Sequence, residues 1–160
     1  MTQTTAADEN KREFTLQRIY TKDISFETPN SPGIFKQEWK PEANVNLNTE
    51  VKKLETNIFE IILTVTITTK IGQQTAYLAE VKQAGIFGIH GFPDQEMGPL
   101  LGSYCPNLLF PYVREVVSDL VTKGSFPQFV LQPVNFDALY AQHQQALAQK
   151  AAENSSDAKH

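Results

Sequence analysis

Apolar and polar residues alternate along the first half of the chain, and the period lengthens in the second half. Four stretches have a period of two residues, which predicts β-strands with one buried and one exposed side. They start near Phe14, Asn44, Phe59 and Ala76. Gly72 predicts a tight hairpin between the third and fourth stretches, so we expect an antiparallel sheet.

The first stretch leads into a long segment without periodicity. Its apolar residues occupy even positions, which predicts a single buried side formed by Phe14, Leu16, Tyr20, Ile24 and Phe26. Ile19 interrupts this pattern. Residues 28–41 then contain three prolines and one glycine. We expect an irregular connection there, which at this length is commonly functional or packed as a unit of its own.

The longer period begins at Leu108. Apolar pairs recur every four residues as far as Val121, as on one face of an amphipathic α-helix. The helix is predicted to begin near Asn107 or Leu108, because Pro111 is tolerated only in the first turn, and to end at Gly124. So broad an apolar face needs a large partner surface, which raises the question of self-association. The candidate interface residues are Leu109, Tyr112, Val113, Val116 and Leu120.

Strands followed by helices predict an α+β fold. We expect a four-stranded antiparallel sheet, a long amphipathic helix packed on it, and a second, C-terminal helix capped by Asn135. The glycine-rich segment 85–102 is predicted to connect the sheet to the long helix. One domain is expected for 160 residues. We assign a disordered segment 1–13, a single domain 14–147 and a flexible tail 148–160.

Composition narrows the classes of function. The net charge of −4 argues against nucleic acid as the main partner. No run of about 18 apolar residues is present, so direct membrane insertion is not expected. Residues 1–13 lack the apolar core of a secretory signal. The single cysteine, Cys105, cannot form an internal disulfide. We therefore expect a cytoplasmic protein.

No residues stand at spacings typical of catalysis or metal binding. The three histidines, His90, His143 and His160, are not spaced from one another or from Cys105 as metal ligands. The glycines of segment 85–91 match neither a dinucleotide-binding nor a phosphate-binding pattern, and close packing of the backbone explains them better. We expect no enzymatic activity, no cofactor and no metal.

Two groups of residues suggest binding surfaces. Asp23 and Glu27 lie four residues apart on one side of the first strand, while Leu78 and Glu80 occupy the more polar side of the fourth. If these strands are neighbours, the sheet carries an acidic patch around an apolar residue; a merely solvated sheet face is the simpler alternative. The second group is aromatic and forms either core or a groove for extended apolar segments: Tyr20, Phe35, Trp39, Phe87 and Phe92.

The chain resembles the SecB family of bacterial protein-export chaperones in five segments that occur in order and at matching spacing. These are residues 15–27 (TLQRIYTKDISFE), 83–87 (QAGIF), 101–115 (LGSYCPNLLFPYVRE), 124–128 (GSFPQ) and 133–139 (PVNFDAL). The resemblance extends from about Phe14 to Leu147. Residues 153–160 lack a strong acidic run, so no detailed tail contact is carried over from the family.

The resemblance implies an ATP-independent holdase that binds unfolded secretory precursors, keeps them competent for translocation and delivers them to the SecA motor ATPase. It also implies a homotetramer, a dimer of dimers, with the long helices between the sheets of opposing dimers. The C-terminal zinc-bearing segment of SecA, which is basic, would contact Asp23, Glu27, Leu78 and Glu80. The client groove would be lined by Tyr20, Phe35, Trp39 and Phe87.

Three other functions stay open at this point. The first is a general or antitoxin-linked SecB-like chaperone without a dedicated export role. The second is an enzyme that uses the glycine-rich segment and His90, which would show turnover that His90→Ala abolishes. The third is a carrier of small molecules or fatty acids in the aromatic groove, which native mass spectrometry would detect.

Overall fold

Four long strands and a succession of helices form the described part of the chain. The computed structural model describes residues 11–157. The strands are β1 (Glu13–Glu27), β2 (Glu42–Glu55), β3 (Ile58–Ile71) and β4 (Gln74–His90). The helical segments are a 3₁₀ turn (Gly33–Lys36), α1 (Asp94–Pro99), a π turn (Leu100–Tyr104), α2 (Cys105–Lys123) and α3 (Phe136–Asp157). None of these helices is long and apolar enough to cross a membrane.

The strands form one antiparallel sheet in the order β1-β4-β3-β2. The predicted α+β fold, with a long helix on a four-stranded sheet and a C-terminal helix, is confirmed. β1 and β4 are neighbours, although most of the sheet separates them in sequence. β1 and β2 are the two edge strands, so each pairs along one side only.

The two sides of the sheet differ in burial. One side, which we call the helix face, packs against α2 and includes Ile61, Leu63 and Val81, none of which has any exposed surface. The helix contributes five fully buried residues to this core: Cys105, Leu109, Val113, Val117 and Val121. The other side, which we call the outer face, carries the even-numbered residues 60–68 and 78–88. Strict alternation in β3 therefore sets which side chains meet the helix.

Two bulges alter the expected pattern of β1. The register with β4 shifts near Gln17 and again near Lys22. Each bulge inserts an extra residue, so the side on which the next side chains lie changes. Between the bulges, Ile19 lies on the helix face and Tyr20 on the outer face. The expectation that Tyr20 shares a side with Phe14 is therefore wrong, and the interruption at Ile19 is explained.

The glycine-rich segment is mostly strand, so its prediction as a connection is wrong. β4 continues to His90, and Gly85 lies where α2 crosses it. A Cβ atom on Gly85 would lie 2.8 Å from Phe87 Cε2 and 3.0 Å from Leu109 Cδ2. Close packing of a helix on the strand thus accounts for this glycine, and the connection begins at Gly91, where φ is +77°.

The long helix begins earlier than predicted. α1, the π turn and α2 follow one another without a break from Asp94 to Lys123. The Cys105 N–H donates to the carbonyl of Leu100, five residues earlier. This wider turn comes directly before Pro106, whose ring clashes with the preceding turn in a regular helix. Pro111 consequently lies inside the helix and not in its first turn.

The ends of the predicted domain differ from expectation in part. α3 extends past Leu147 to Asp157, so much of the predicted tail is helical. Alanine, glutamine, lysine and glutamate dominate this stretch, and all are good helix formers. Of the segment predicted to be disordered, residues 1–10 lie outside the described residues, and β1 already includes Glu13.

Candidate functional site

Four predicted residues come together on the outer face as an acidic strip: Asp23, Glu27, Leu78 and Glu80. Glu27 lies directly across from Leu78, and Ser25 lies across from Glu80. The condition that β1 and β4 are neighbours is thus met. The carboxylates of Asp23 and Glu27 are exposed, while Glu80 is half-buried. Thr66 Oγ1 donates to Glu80 Oε2 at 3.2 Å, which fixes this carboxylate from the β3 side.

The strip also contains a lysine that the sequence reasoning did not weigh. Lys82 lies directly across from Asp23 on the outer face. No carboxylate in the described part of the chain lies within ion-pair distance of its ammonium group. The strip is therefore acidic at its Glu27 end and of mixed charge at its Asp23 end.

A buried carboxylate next to the strip anchors a small polar network. Glu60 of β3 is only 7% exposed, although it lies on the outer face. Lys22 Nζ lies 2.9 Å and 3.0 Å from its two oxygens, and the Tyr20 hydroxyl donates to Oε2. Burial, together with the bond to Glu60, raises the pKa of Tyr20 to about 12. The bond from Tyr20 and the nearby Lys22 hold the pKa of Glu60 below its ordinary value.

An aromatic cluster holds the second half of the segment between β1 and β2. Phe35 and Trp39 both stack on Phe126, with ring centroids 5.3 Å and 5.7 Å apart. Phe126 in turn lies 5.0 Å from Tyr77, which is fully buried in β4. Phe35 remains 49% exposed. The segment is therefore held on the sheet by one side of its rings and presents the other to solvent.

The four residues predicted to line a client groove do not form one surface. Only Phe35 and Trp39 lie together. Phe87 is fully buried and packs on Phe14, with ring centroids 5.7 Å apart. Tyr20 lies on the opposite side of the sheet, in the Glu60 network. The side switch in β1 and the depth of Phe87 under α2 cause this separation.

The structure instead provides a groove along the edge strand β2. One cavity of about 620 Å³ lies between β2 and α3, and a second of about 340 Å³ lies between β2 and residues 129–134. Leu47 lines both cavities, so they lie side by side along β2. The residues of the helical segments that line the larger one include Leu101, Phe136, Leu139, Tyr140, His143 and Gln144. The sequence predicts the strand and the C-terminal helix that border this groove, but not that they lie together.

The first turns of α3 are firmly docked beside the groove. Asn135 Oδ1 accepts a bond from the Ala138 N–H at 3.0 Å, which confirms the predicted N-cap. The Ser103 hydroxyl donates to Asp137. The ring of Tyr140 lies against two glycines, Gly98 and Gly102, which leave room for it on the long helix. From Ala141 to Ser156 every residue of α3 is exposed.

The predicted interface helix has a buried side and an exposed side. Leu109 and Val113 are fully buried under their own sheet, so they do not offer a free surface. Val116 and Leu120 are half-buried, and Tyr112 is 48% exposed. Tyr104, the last residue of the π turn, is equally exposed. It is not among the predicted interface residues, because the helix is predicted to begin after it.

The residues considered for catalysis are not arranged for it. Cys105 is buried, and burial raises its pKa to about 12, so it is a poor nucleophile at neutral pH. The Asn57 side chain donates to His90 Nδ1 at 3.1 Å at the exposed end of β4. Within residues 11–157 no group of three or more histidine, cysteine or carboxylate side chains is placed to hold a metal ion.

Comparisons with known proteins agree with the resemblance seen in the sequence. Residues 7–147 match the family described as preprotein translocase subunit SecB. The protein-export protein SecB of Methylococcus capsulatus is 59% identical over 141 residues, which cover 88% of this chain and 91% of that protein. The protein-export protein SecB of Alcanivorax borkumensis is 61% identical over 139 residues, which cover 85% of this chain and 88% of that protein.

A solved structure supports the same fold. A SecB-like chaperone of Mycobacterium tuberculosis, in complex with an antitoxin peptide, superposes with a TM-score of 0.64 over 76% of this chain and 90% of that chain, at 16% identity. Fold, family match and relatives agree. The chain therefore belongs to the SecB family of protein-export chaperones, which is not a family of enzymes.

Proposed function

We propose that this chain acts in the cytoplasm as an ATP-independent holdase that delivers unfolded precursors to SecA. One observation carries the proposal: the register of β1 and β4 brings the carboxylates of Asp23, Glu27 and Glu80 together with Leu78 in one strip on the sheet face away from the long helix. The dedicated export role is favoured over an antitoxin-linked one by the relatives at 59% and 61% identity, which are export proteins by name.

The acidic strip suits a basic partner with an apolar contact point. Opposite charges on two surfaces steer encounter and fix register. Leu78 is half-buried between the carboxylates, so a partner side chain can exclude water from their surroundings. We propose the zinc-bearing C-terminal segment of SecA as this partner. Because exposed charges are screened within about 10 Å at 0.1 M salt, binding should weaken as salt rises.

Unfolded clients would bind in the groove along β2. The groove is lined by apolar side chains from β2, α3 and residues 129–134. β2 is an edge strand, so its free backbone groups can pair with an extended client whatever its sequence. The exposed ring of Phe35 adds a further contact. A ligand that binds the unfolded chain and not the native one holds it unfolded by mass action, with no need for ATP.

The exposed side of the long helix would join copies of the chain. Tyr112 is 48% exposed and Tyr104 is equally so, while Val116 and Leu120 are half-buried beside them. Large apolar surfaces of this kind on a soluble chain mark an interaction site. We propose a dimer of dimers built on this side of α2. A tetramer would multiply the grooves and hold one long client at several points, which raises affinity through avidity.

Charge reversal tests the docking surface. Asp23→Lys combined with Glu80→Lys should weaken binding of the SecA segment by roughly tenfold or more, because like charges across an interface repel. Client binding should be unchanged, since the groove lies on the other side of the sheet. The matched control is Glu42→Lys with Glu50→Lys, which reverses two carboxylates on the same face along β2. Equal losses in the two double variants, or equal losses of SecA and client binding, would reject a separate docking strip.

A further inference from the structure

The bulge near Lys22 brings two oppositely charged neighbours to the same side of the sheet. Consecutive residues of a regular strand point to opposite faces. Here the bulge makes Lys22 and Asp23 share the outer face, opposite the single residue Lys82. Because Lys22 and Asp23 are adjacent in sequence and lie on one face, Lys22 would be a natural ion-pair partner for Asp23.

Lys22 nevertheless pairs with Glu60. Its ammonium lies 2.9 Å and 3.0 Å from the two Glu60 oxygens, and no ion pair between Lys22 and Asp23 is found in the described part of the chain. Glu60 is nearly buried, and a buried carboxylate without a cation is strongly unfavourable. The bond from Tyr20 fixes the carboxylate on its other side. The ammonium group is therefore held by the less exposed of two available acids.

We propose that Glu60 is a positioning residue for the docking strip: it holds the Lys22 ammonium away from Asp23, so that the Asp23 carboxylate stays available to a basic partner. The inference rests on the proposed docking of SecA at this strip. Asp23 already faces the unpaired Lys82 across the strand pair. A second lysine at the same carboxylate would neutralise this end of the strip, and only Glu27 and Glu80 would remain.

Removing the Glu60 charge tests the inference. Glu60→Gln should weaken binding of the zinc-loaded C-terminal segment of SecA by about 1.5- to 5-fold at low salt, the range expected when an exposed carboxylate gains a competing partner. Adding Lys22→Gln to this variant should restore binding, because the released lysine is then absent. The difference in SecA binding between Glu60→Gln and the unmodified chain should disappear at high salt. Client binding should be the same for all variants.

Two outcomes would overturn the inference. If Glu60→Gln has no effect, or if Lys22→Gln fails to restore binding lost with Glu60→Gln, Glu60 does not act through Lys22. Should Glu60→Gln not fold, Glu60→Asp keeps the charge but withdraws it from Lys22, and a weakening that Lys22→Gln reverses would support the same role. Tyr20→Phe leaves the ion pair in place and should bind SecA normally; a loss in this variant would indicate a general distortion of β1.

A separate variant distinguishes failure of the docking site itself. Asp23→Asn should weaken SecA binding on its own, and adding Glu60→Gln to it should cause no further loss, because the carboxylate that Lys22 would neutralise is gone. If Asp23→Asn binds SecA as well as the unmodified chain does, the proposed docking strip is wrong. If Asp23→Asn weakens binding and Glu60→Gln weakens it further by its full amount, the strip stands and the positioning role fails.

Discussion

The contact between Tyr140 and the two glycines of the long helix allows a prediction whose sign depends on the background. A Cβ atom on Gly102 would lie 2.5 Å from Tyr140 Cδ2 and 2.7 Å from Cε2. Ordinary carbon contacts are about 3.5–4.0 Å, so the ring would have to move by about 1 Å. Gly102→Ala should therefore displace the ring and, with it, the docked first turns of α3.

Two terms set the size of the effect. Overpacking of this kind costs about 1–3 kcal/mol, while alanine stabilises a helix interior by about 1 kcal/mol relative to glycine. Gly102→Ala alone should thus be neutral or destabilising by up to about 2 kcal/mol. In a Tyr140→Ala background the clash is absent, and the same substitution should stabilise the chain by up to about 1 kcal/mol.

A double-mutant cycle measures this change. Urea unfolding followed by the fluorescence of Trp39, the single tryptophan, gives the free energies of unfolding, and hydrogen exchange of the α3 amides reports loss of docking if only that helix is released. We expect a coupling energy of about 1–3 kcal/mol between the two positions. If Gly102→Ala changes the stability and the α3 protection equally in both backgrounds, Tyr140 does not depend on this glycine.

Two further predictions concern the groove and the buried thiol. Leu139→Gln removes an apolar side chain that lines the larger cavity and should weaken binding of an unfolded precursor by about 1–2 kcal/mol. The assay is the refolding of the diluted precursor, which this variant should slow less than the unmodified chain does. Leu147→Gln, on the same helix but outside the cavity, should have little effect, and equal losses in the two variants would argue against the groove. Cys105 should resist thiol reagents at pH 8 in the native protein and react as soon as urea unfolds it, because burial raises its pKa to about 12. The protonated thiol contributes stability that is complete below its unfolded pKa and is lost as the pH rises towards 12. Rapid modification of the folded protein at pH 8 would contradict the burial.

The spacing of apolar and polar residues predicts those strands and helices in which one period continues along the whole element. β3 alternates without interruption, and its helix-face and outer-face residues lie where the sequence puts them. β1 could not be predicted in the same way, because a bulge changes the face of later residues and leaves no mark in composition. The glycines around Gly85 predict a connection, because only the helix that crosses the strand there explains them.

The candidate surfaces also differ in whether local sequence pattern could predict them. The acidic strip could be predicted from spacing, provided that β1 lies next to β4, and the register supplies that condition. The groove could not, because it is formed by β2, residues 129–134 and α3, which are far apart in sequence. The separation of Tyr20 from Phe87 likewise depends on long-range packing, which the resemblance to a family did not resolve.

The opposite placement of the acidic strip and the groove has a consequence for the order of events in export. A single layer of strands separates the two surfaces. A precursor in the groove would therefore not have to leave before a partner binds the acidic strip. Under the proposed function, chaperone, precursor and motor would form one three-component complex, in which SecA would engage a precursor that is still bound. The rate of handover would be set by how fast the groove releases each stretch of chain, and not by competition for a shared position.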